Sequence, residues 1–136
     1  MPDTIVLFDN ECITLVYHPN KKIIHHTIHQ PICGEPLRAV LNQGTEALAE
    51  YGACKWLSDD RLNGAILPED AEWGRDYWHA RAIASGWKYW ANVVPHEVQA
   101  AGTLNASIEH LFELGLNMMV FTTPDEAMEW LESRAD

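Results

Sequence analysis

Apolar residues in the N-terminal part of the chain come in short runs cut by turn-forming residues. Ile5-Val6-Leu7-Phe8 stops at Asp9-Asn10-Glu11, the run from Ile13 to Tyr17 stops at His18-Pro19-Asn20-Lys21, and that from Ile23 to Ile28 stops before Pro31. β-Branched side chains suit a pleated surface, and Pro and Asn set turns. These blocks predict three short strands in an antiparallel meander.

After Gly34 the period changes. Leu37, Val40, Leu41, Gly44, Leu48 and Tyr51 recur at helical spacing, Pro36 suits a first turn, and Gly52 suits the position just past a helix end. Gly44 in mid-helix costs about 1 kcal/mol against Ala, which points to close packing on a sheet. A strand over 53–57 follows, then the polar loop Ser58 to Gly64. A second helix begins near Pro68, with Glu69, Asp70 and Glu72 in its first turn, and ends at Gly86. The next strand, 88–94, is stopped by Pro95. A third helical stretch, interrupted by Gly102, Thr103 and Asn105, is anchored by Leu104, Ile108, Leu111 and Phe112, and 118–121 forms the last strand. Thr123, Pro124 and Glu126 open a final helix as a capping box, with Ala127, Trp130 and Leu131 on its inner face.

The order β-β-β-α-β-α-β-α-β-α predicts an α/β fold: a single mixed β-sheet with antiparallel N-terminal strands and then βα repeats joined by right-handed crossovers. A length of 136 residues matches one domain, here 1–136, and 47% hydrophobic with 21% charged residues is ordinary for a globular chain. The formal net charge of −11 and the absence of a basic stripe argue against nucleic acid as a partner, because such binding needs phosphates neutralised. Cys12, Cys33 and Cys54 form no CxxC and no even framework, so they read as small apolar residues. The start Met1-Pro2-Asp3 lacks a basic leader region, and no run approaches the about 20 apolar residues of a membrane span. A cytoplasmic protein is expected.

Three segments carry a resemblance: Lys55-Trp56-Leu57-Ser58-Asp59-Asp60-Arg61 with Glu69-Asp70 and Trp73 downstream, Gly86-Trp87-Lys88-Tyr89 leading to Ala91, and Phe121 through Glu126-Ala127 to Trp130-Leu131. With the element order, they make the chain resemble the STAS or SpoIIAA-like group, which includes sulphate-transporter and anti-sigma-factor-antagonist domains, and above all its stand-alone bacterial members. The resemblance implies a non-catalytic binding or regulatory module. Familiar antagonists carry Asp-Ser-x-Gly at the start of the helix after this strand and are switched by phosphorylation of that serine. Here Ile66-Leu67-Pro68-Glu69-Asp70 stands instead, without a hydroxyl. Its acids would either mimic a phosphorylated surface or simply complement the helix dipole. Ser58 is the nearest hydroxyl.

Ligands of open α/β sheets settle beyond the carboxyl ends of the strands. That rule gathers Ser58, Asp59, Asp60 and Arg61, then His96 and Glu97, then Thr122 and Thr123, on one rim. Asp59 and Asp60 are the residue types that hold Mg²⁺, and His96 is a candidate base, so a small metal-dependent or hydrolytic enzyme is the alternative function. The simpler reading pairs Arg61 with one of the acids to fix the loop. His18, His25, His26 and His29 lie close in sequence. On a strand, however, His25 and His29 sit about 13 Å apart and His26 faces the other way, so the stretch reads as a solvent-facing or subunit-facing strand. Trp73, Trp78, Trp87 and Trp90 crowd beside Tyr77 and Tyr89. A helix cannot bury Trp73, Tyr77 and Trp78 on one side, so aromatic surface is left for an apolar pocket or a homodimer contact. No nucleotide-binding, zinc-protease or serine-hydrolase signature is present, and no cofactor is implied. The expected binding residues are therefore Ser58, Asp59, Asp60, Arg61, Glu69, Asp70, Trp73, Trp78 and His96, taking a protein partner or a small apolar or anionic ligand.

Overall fold

The computed structural model describes residues 4–64 and 66–136; the acidic start Met1-Pro2-Asp3 lies outside them. The predicted meander is present. β1 (Ile5–Asp9), β2 (Ile13–His18) and β3 (Ile23–Ile28) pair antiparallel in that order. Asn10 builds the first turn, its Oδ1 accepting the backbone N–H groups of Cys12 at 2.8 Å and Ile13 at 2.9 Å. Alternation along β2 buries Ile13, Leu15 and Tyr17 and leaves Thr14, Val16 and His18 half-buried, so the period of two becomes an inside and an outside.

From β3 onward the strands run parallel. β4 (Lys55–Asp59), β5 (Tyr89–Val93) and β6 (Asn117–Phe121) complete a six-stranded mixed sheet in the order β1-β2-β3-β4-β5-β6. A sheet that grows in one direction through right-handed crossovers keeps its crossover helices on one face. Accordingly, α1 (Glu35–Tyr51), α3 (His79–Ala84) and α5 (Asn105–Glu113) share one apolar core, through Leu48, Ala82 and Leu111 packed with Trp56, Trp90 and Met118. The last helix, α6 (Pro124–Glu132), follows the final strand and turns back across the other face. There Ala127 and Leu131 cluster with Ile23, Leu57, Ala91 and Val93. The N-cap half of the predicted capping box forms, with the Glu126 N–H donating to Thr123 Oγ1, while the Glu126 carboxylate accepts from the Thr123 hydroxyl.

The second and third helical regions are each broken into segments, the third where Gly102 was expected to interrupt it. The second helix is three consecutive segments: α2 (Pro68–Trp73), a π-helical turn (Gly74–Trp78) and α3. The third stretch is split into α4 (His96–Ala101) and α5 at Gly102, whose φ of 66° no helix interior accepts. Phe112, expected to anchor this stretch, is 69% exposed. It follows the buried Leu111 by one residue, about 100° around the helix, and so leaves the packed face. The Gly44 expectation holds: a Cβ there would lie 2.3 Å from the Trp56 indole. Of the three free cysteines only Cys54 is buried; Cys33 is exposed, contrary to its reading as a core residue.

Candidate functional site

A cavity of about 620 Å³ lies on the crossover face, beside the carboxyl ends of β4 and β5. Its walls are mainly apolar and aromatic: Leu37 and Leu41 of α1, Trp73 and Trp78, Trp90 of β5, and Leu111 of α5. The π-helical turn explains how both Trp73 and Trp78 reach it. Residues five apart on an α-helix diverge by about 140°, whereas a turn closed by i→i+5 bonds brings them back to one side. The two indoles stack with centroids 6.3 Å apart and an interplanar angle of 8°. Tyr77 is left outside, 45% exposed, as the crowding of aromatic residues predicted.

Strand parity puts a polar network against this apolar wall. His26, Ser58 and Asn92 occupy matching positions on β3, β4 and β5. All three are buried and line the cavity with Asp60, which follows β4. Trp56 Nε1–H donates to His26 Nδ1 at 3.1 Å, so the ring proton sits on Nε2 and donates to Asp60 Oδ1 at 2.8 Å. Asn92 Nδ2 donates to Asp60 Oδ2 at 2.7 Å, and Trp90 Nε1–H donates to Ser58 Oγ at 2.9 Å. The Asp60 carboxylate is thereby fixed by one donor on each oxygen, with its side chain 30% exposed.

The structure separates residues that the strand-end rule gathers. Asp59 lies two residues after Leu57, on the parity of the α6 face, and accepts Arg61 Nε at 2.9 Å and Nη2 at 2.8 Å. The loop-fixing pair expected for Arg61 is thus present, and neither Asp59 nor Arg61 lines the cavity. His96 is exposed at the start of α4 and also outside the lining, so Asp59, Asp60 and His96 form no joint site. Glu69 is exposed and takes part only through its backbone oxygen, which accepts Arg38 Nη2. Asp70 is not a phosphate-like surface: it is 5% exposed and accepts the Gly34 backbone N–H at 3.0 Å and Arg38 Nε at 3.1 Å. It complements the start of α1 rather than its own helix, and Arg38 in turn lies over the Trp73 ring, 5.5 Å from the centroid.

The histidines sort by parity as well. His26 is buried on the crossover face, against the solvent-facing reading, whereas His25 is half-buried on the other face and His29, past the strand, is exposed. His25 bonds to His18 across β2 at 3.0 Å, and burial holds its pKa down at about 4. His79 lines the cavity beside Trp78 and Trp90. Burial, then His110 and Arg75, pushes its pKa down to about 4, so it is neutral at pH 7. Among the described residues, no three His, Cys, Asp or Glu side chains converge as metal ligands, and no helix is long and apolar enough to cross a membrane.

His26, Asn92 and Arg38 were not singled out as site residues by sequence reasoning, whereas Trp90 stood among the tryptophans read as leaving surface for an apolar pocket. A signal existed for the first two. Ile24-His25-His26-Thr27-Ile28 and Trp90-Ala91-Asn92 place His26 and Asn92 on the parity of Ile24 and Trp90, which is the crossover face. Arg38 had no such mark. No family model, curated protein or solved structure matches this chain.

Proposed function

We propose that the chain is a non-catalytic binding module of STAS-like kind that takes a small, largely apolar ligand into the cavity between the sheet and the α2–α3 segments. The observation that carries this reading is the cavity itself. Its about 620 Å³ falls within the about 300–1,000 Å³ of small-molecule sites, and a tryptophan-rich wall with a few fixed polar groups is the usual make-up of such sites. Side-chain commitments support the non-catalytic part. Both nitrogens of His26 are engaged, Ser58 accepts a bond from Trp90 with no histidine bonded to its hydroxyl, and Asp59 is held by Arg61. Control by association, rather than by phosphorylation at Ser58, is supported by the complete burial of that residue. The antiparallel start and following βα repeats in one mixed sheet support the STAS-like part.

Calorimetric titration with a series of alkyl and aryl alcohols tests the reading. The wild-type protein is expected to bind members of the series saturably. Ser107→Trp, which adds an indole to the lining from the exposed side of α5, is expected to weaken binding by about tenfold or more, equivalent to about 1.4 kcal/mol. Absence of binding throughout the series, or binding that Ser107→Trp leaves unchanged, would overturn it.

A further inference from the structure

We infer that the cavity selects a ligand bearing a protonated amine on an apolar body, with Asp60 as the group that receives the amine. This rests on the cavity reading and adds the chemistry of the ligand's head group.

The inference starts from charge accounting inside the cavity. Arg38 and Asp70 neutralise each other at 3.1 Å. Arg75 has a 60% exposed side chain and is paired with Asp76 at 3.7 Å. Asp60 differs, because its only ionisable partner among the described residues is His26. The Trp56 N–H on His26 Nδ1 requires a lone pair there, so this imidazole is the neutral Nε2–H tautomer and supplies a hydrogen bond without a positive charge. Asn92, the other donor, is also neutral. The carboxylate is therefore held rigidly and left unneutralised against an apolar wall, where an ionic contact is screened less than in water.

Geometry leaves room for a donor. A carboxylate has about four acceptor positions, of which His26 and Asn92 occupy one on each oxygen. An ammonium group supplies three N–H donors and the missing charge. Trp73, Trp78 and Trp90 line the same cavity, and aromatic faces attract cations as well as apolar bodies. A ligand carboxylate would meet Asp60 as a like charge and find His79 neutral. The anionic option raised by the sequence is thus the less favoured head group at this wall.

The test uses three probes with one indole body: tryptamine, tryptophol and indoleacetate, titrated calorimetrically at pH 7 into the wild type, Ser107→Trp and Asp60→Asn. Tryptamine is expected to bind about 10–100-fold more tightly than tryptophol, the scale of a hydrogen bond to a charged group, with indoleacetate weakest. Asp60→Asn is expected to abolish the preference for the amine, read as the ratio of tryptamine to tryptophol affinity within that variant. Equal affinities, a preference for indoleacetate, or an amine preference that survives Asp60→Asn would overturn the amine inference and leave the cavity reading standing. Failure of all three probes to bind, or insensitivity to Ser107→Trp, would overturn the cavity reading and the inference with it. The wild-type series is decisive by itself if Asp60→Asn does not fold.

Discussion

Gly44→Ala is the substitution whose sign depends most directly on how the helix layer meets the sheet. On an isolated helix, Ala in place of Gly stabilises by about 1 kcal/mol. Here the new methyl would stand 2.3 Å from Cη2 and 2.7 Å from Cζ2 of Trp56, so the indole must move. It has little freedom to do so. Trp56 is fully buried, donates to His26 at 3.1 Å, and packs between Trp78 and Trp87 at centroid distances of 5.4 and 5.3 Å. Overpacking of this kind costs about 1–3 kcal/mol against a propensity gain of about 1 kcal/mol, so net destabilisation of up to about 2 kcal/mol is expected. In a Trp56→Phe background the clashing ring is absent, and Gly44→Ala should become neutral or stabilising. Urea unfolding of the four proteins gives the coupling energy, expected at about 1–3 kcal/mol. Stabilisation by Gly44→Ala in the wild type, or a coupling below about 0.5 kcal/mol, would refute the reasoning. Displacing Trp56 also disturbs the His26–Asp60 pair, so the single variant should bind cavity ligands more weakly.

Asp70→Ala leaves the Gly34 N–H and the Arg38 guanidinium without their buried acceptor, and should cost about 2–4 kcal/mol in urea unfolding; a loss under about 0.5 kcal/mol would show that the α1–α2 clamp contributes little. Stability should also depend on pH through His25 and His79, whose folded pKa values of about 4 lie below the ordinary 6.5. Between those values the unfolded chain binds more protons than the folded one. Their contribution is therefore full above pH 6.5 and is lost as pH falls toward 4, at up to about 1 kcal/mol per pH unit for each. Replacing both residues by Gln should flatten that slope in pH-dependent thermal melts, and an unchanged slope would contradict the assignment. Arg38→Ala removes both the partner of Asp70 and the cation over Trp73, and should reduce near-ultraviolet dichroism from the Trp73–Trp78 stack while the far-ultraviolet signal persists; an unaltered near-ultraviolet spectrum would count against this bracing role.

The architecture was readable where local chemistry and tertiary demand agree. The runs ending at Asn10 and Pro19, the helical spacing from Leu37 to Tyr51 and the box at Thr123 each carry their own signal, and all form the elements they predict. What failed to show was long-range. Asp59 and Asp60 are neighbours in sequence, and only their parity in a covered strand assigns one to Arg61 and the other to the cavity. His26 looked exposed because adjacent histidines resemble a polar strand, yet β3 lies inside the sheet and its odd and even positions meet different layers. The π-helical turn that aligns Trp73 with Trp78 has no recognisable residue signature here, since any helical pattern read at 3.6 residues per turn sends them apart. Asp70 carried the signal of a helix start, but its carboxylate serves a different helix.

The central claim, that this cavity is where the chain takes its ligand, is tested most directly by the indole N–H resonances of the six tryptophans during a tryptophol titration. Trp73, Trp78 and Trp90 line the cavity, whereas Trp130 lies with α6 on the opposite face. Saturable shifts of Trp73, Trp78 and Trp90 with Trp130 unmoved are predicted. Shifts confined to Trp130, or no saturable shift at all, would contradict the account.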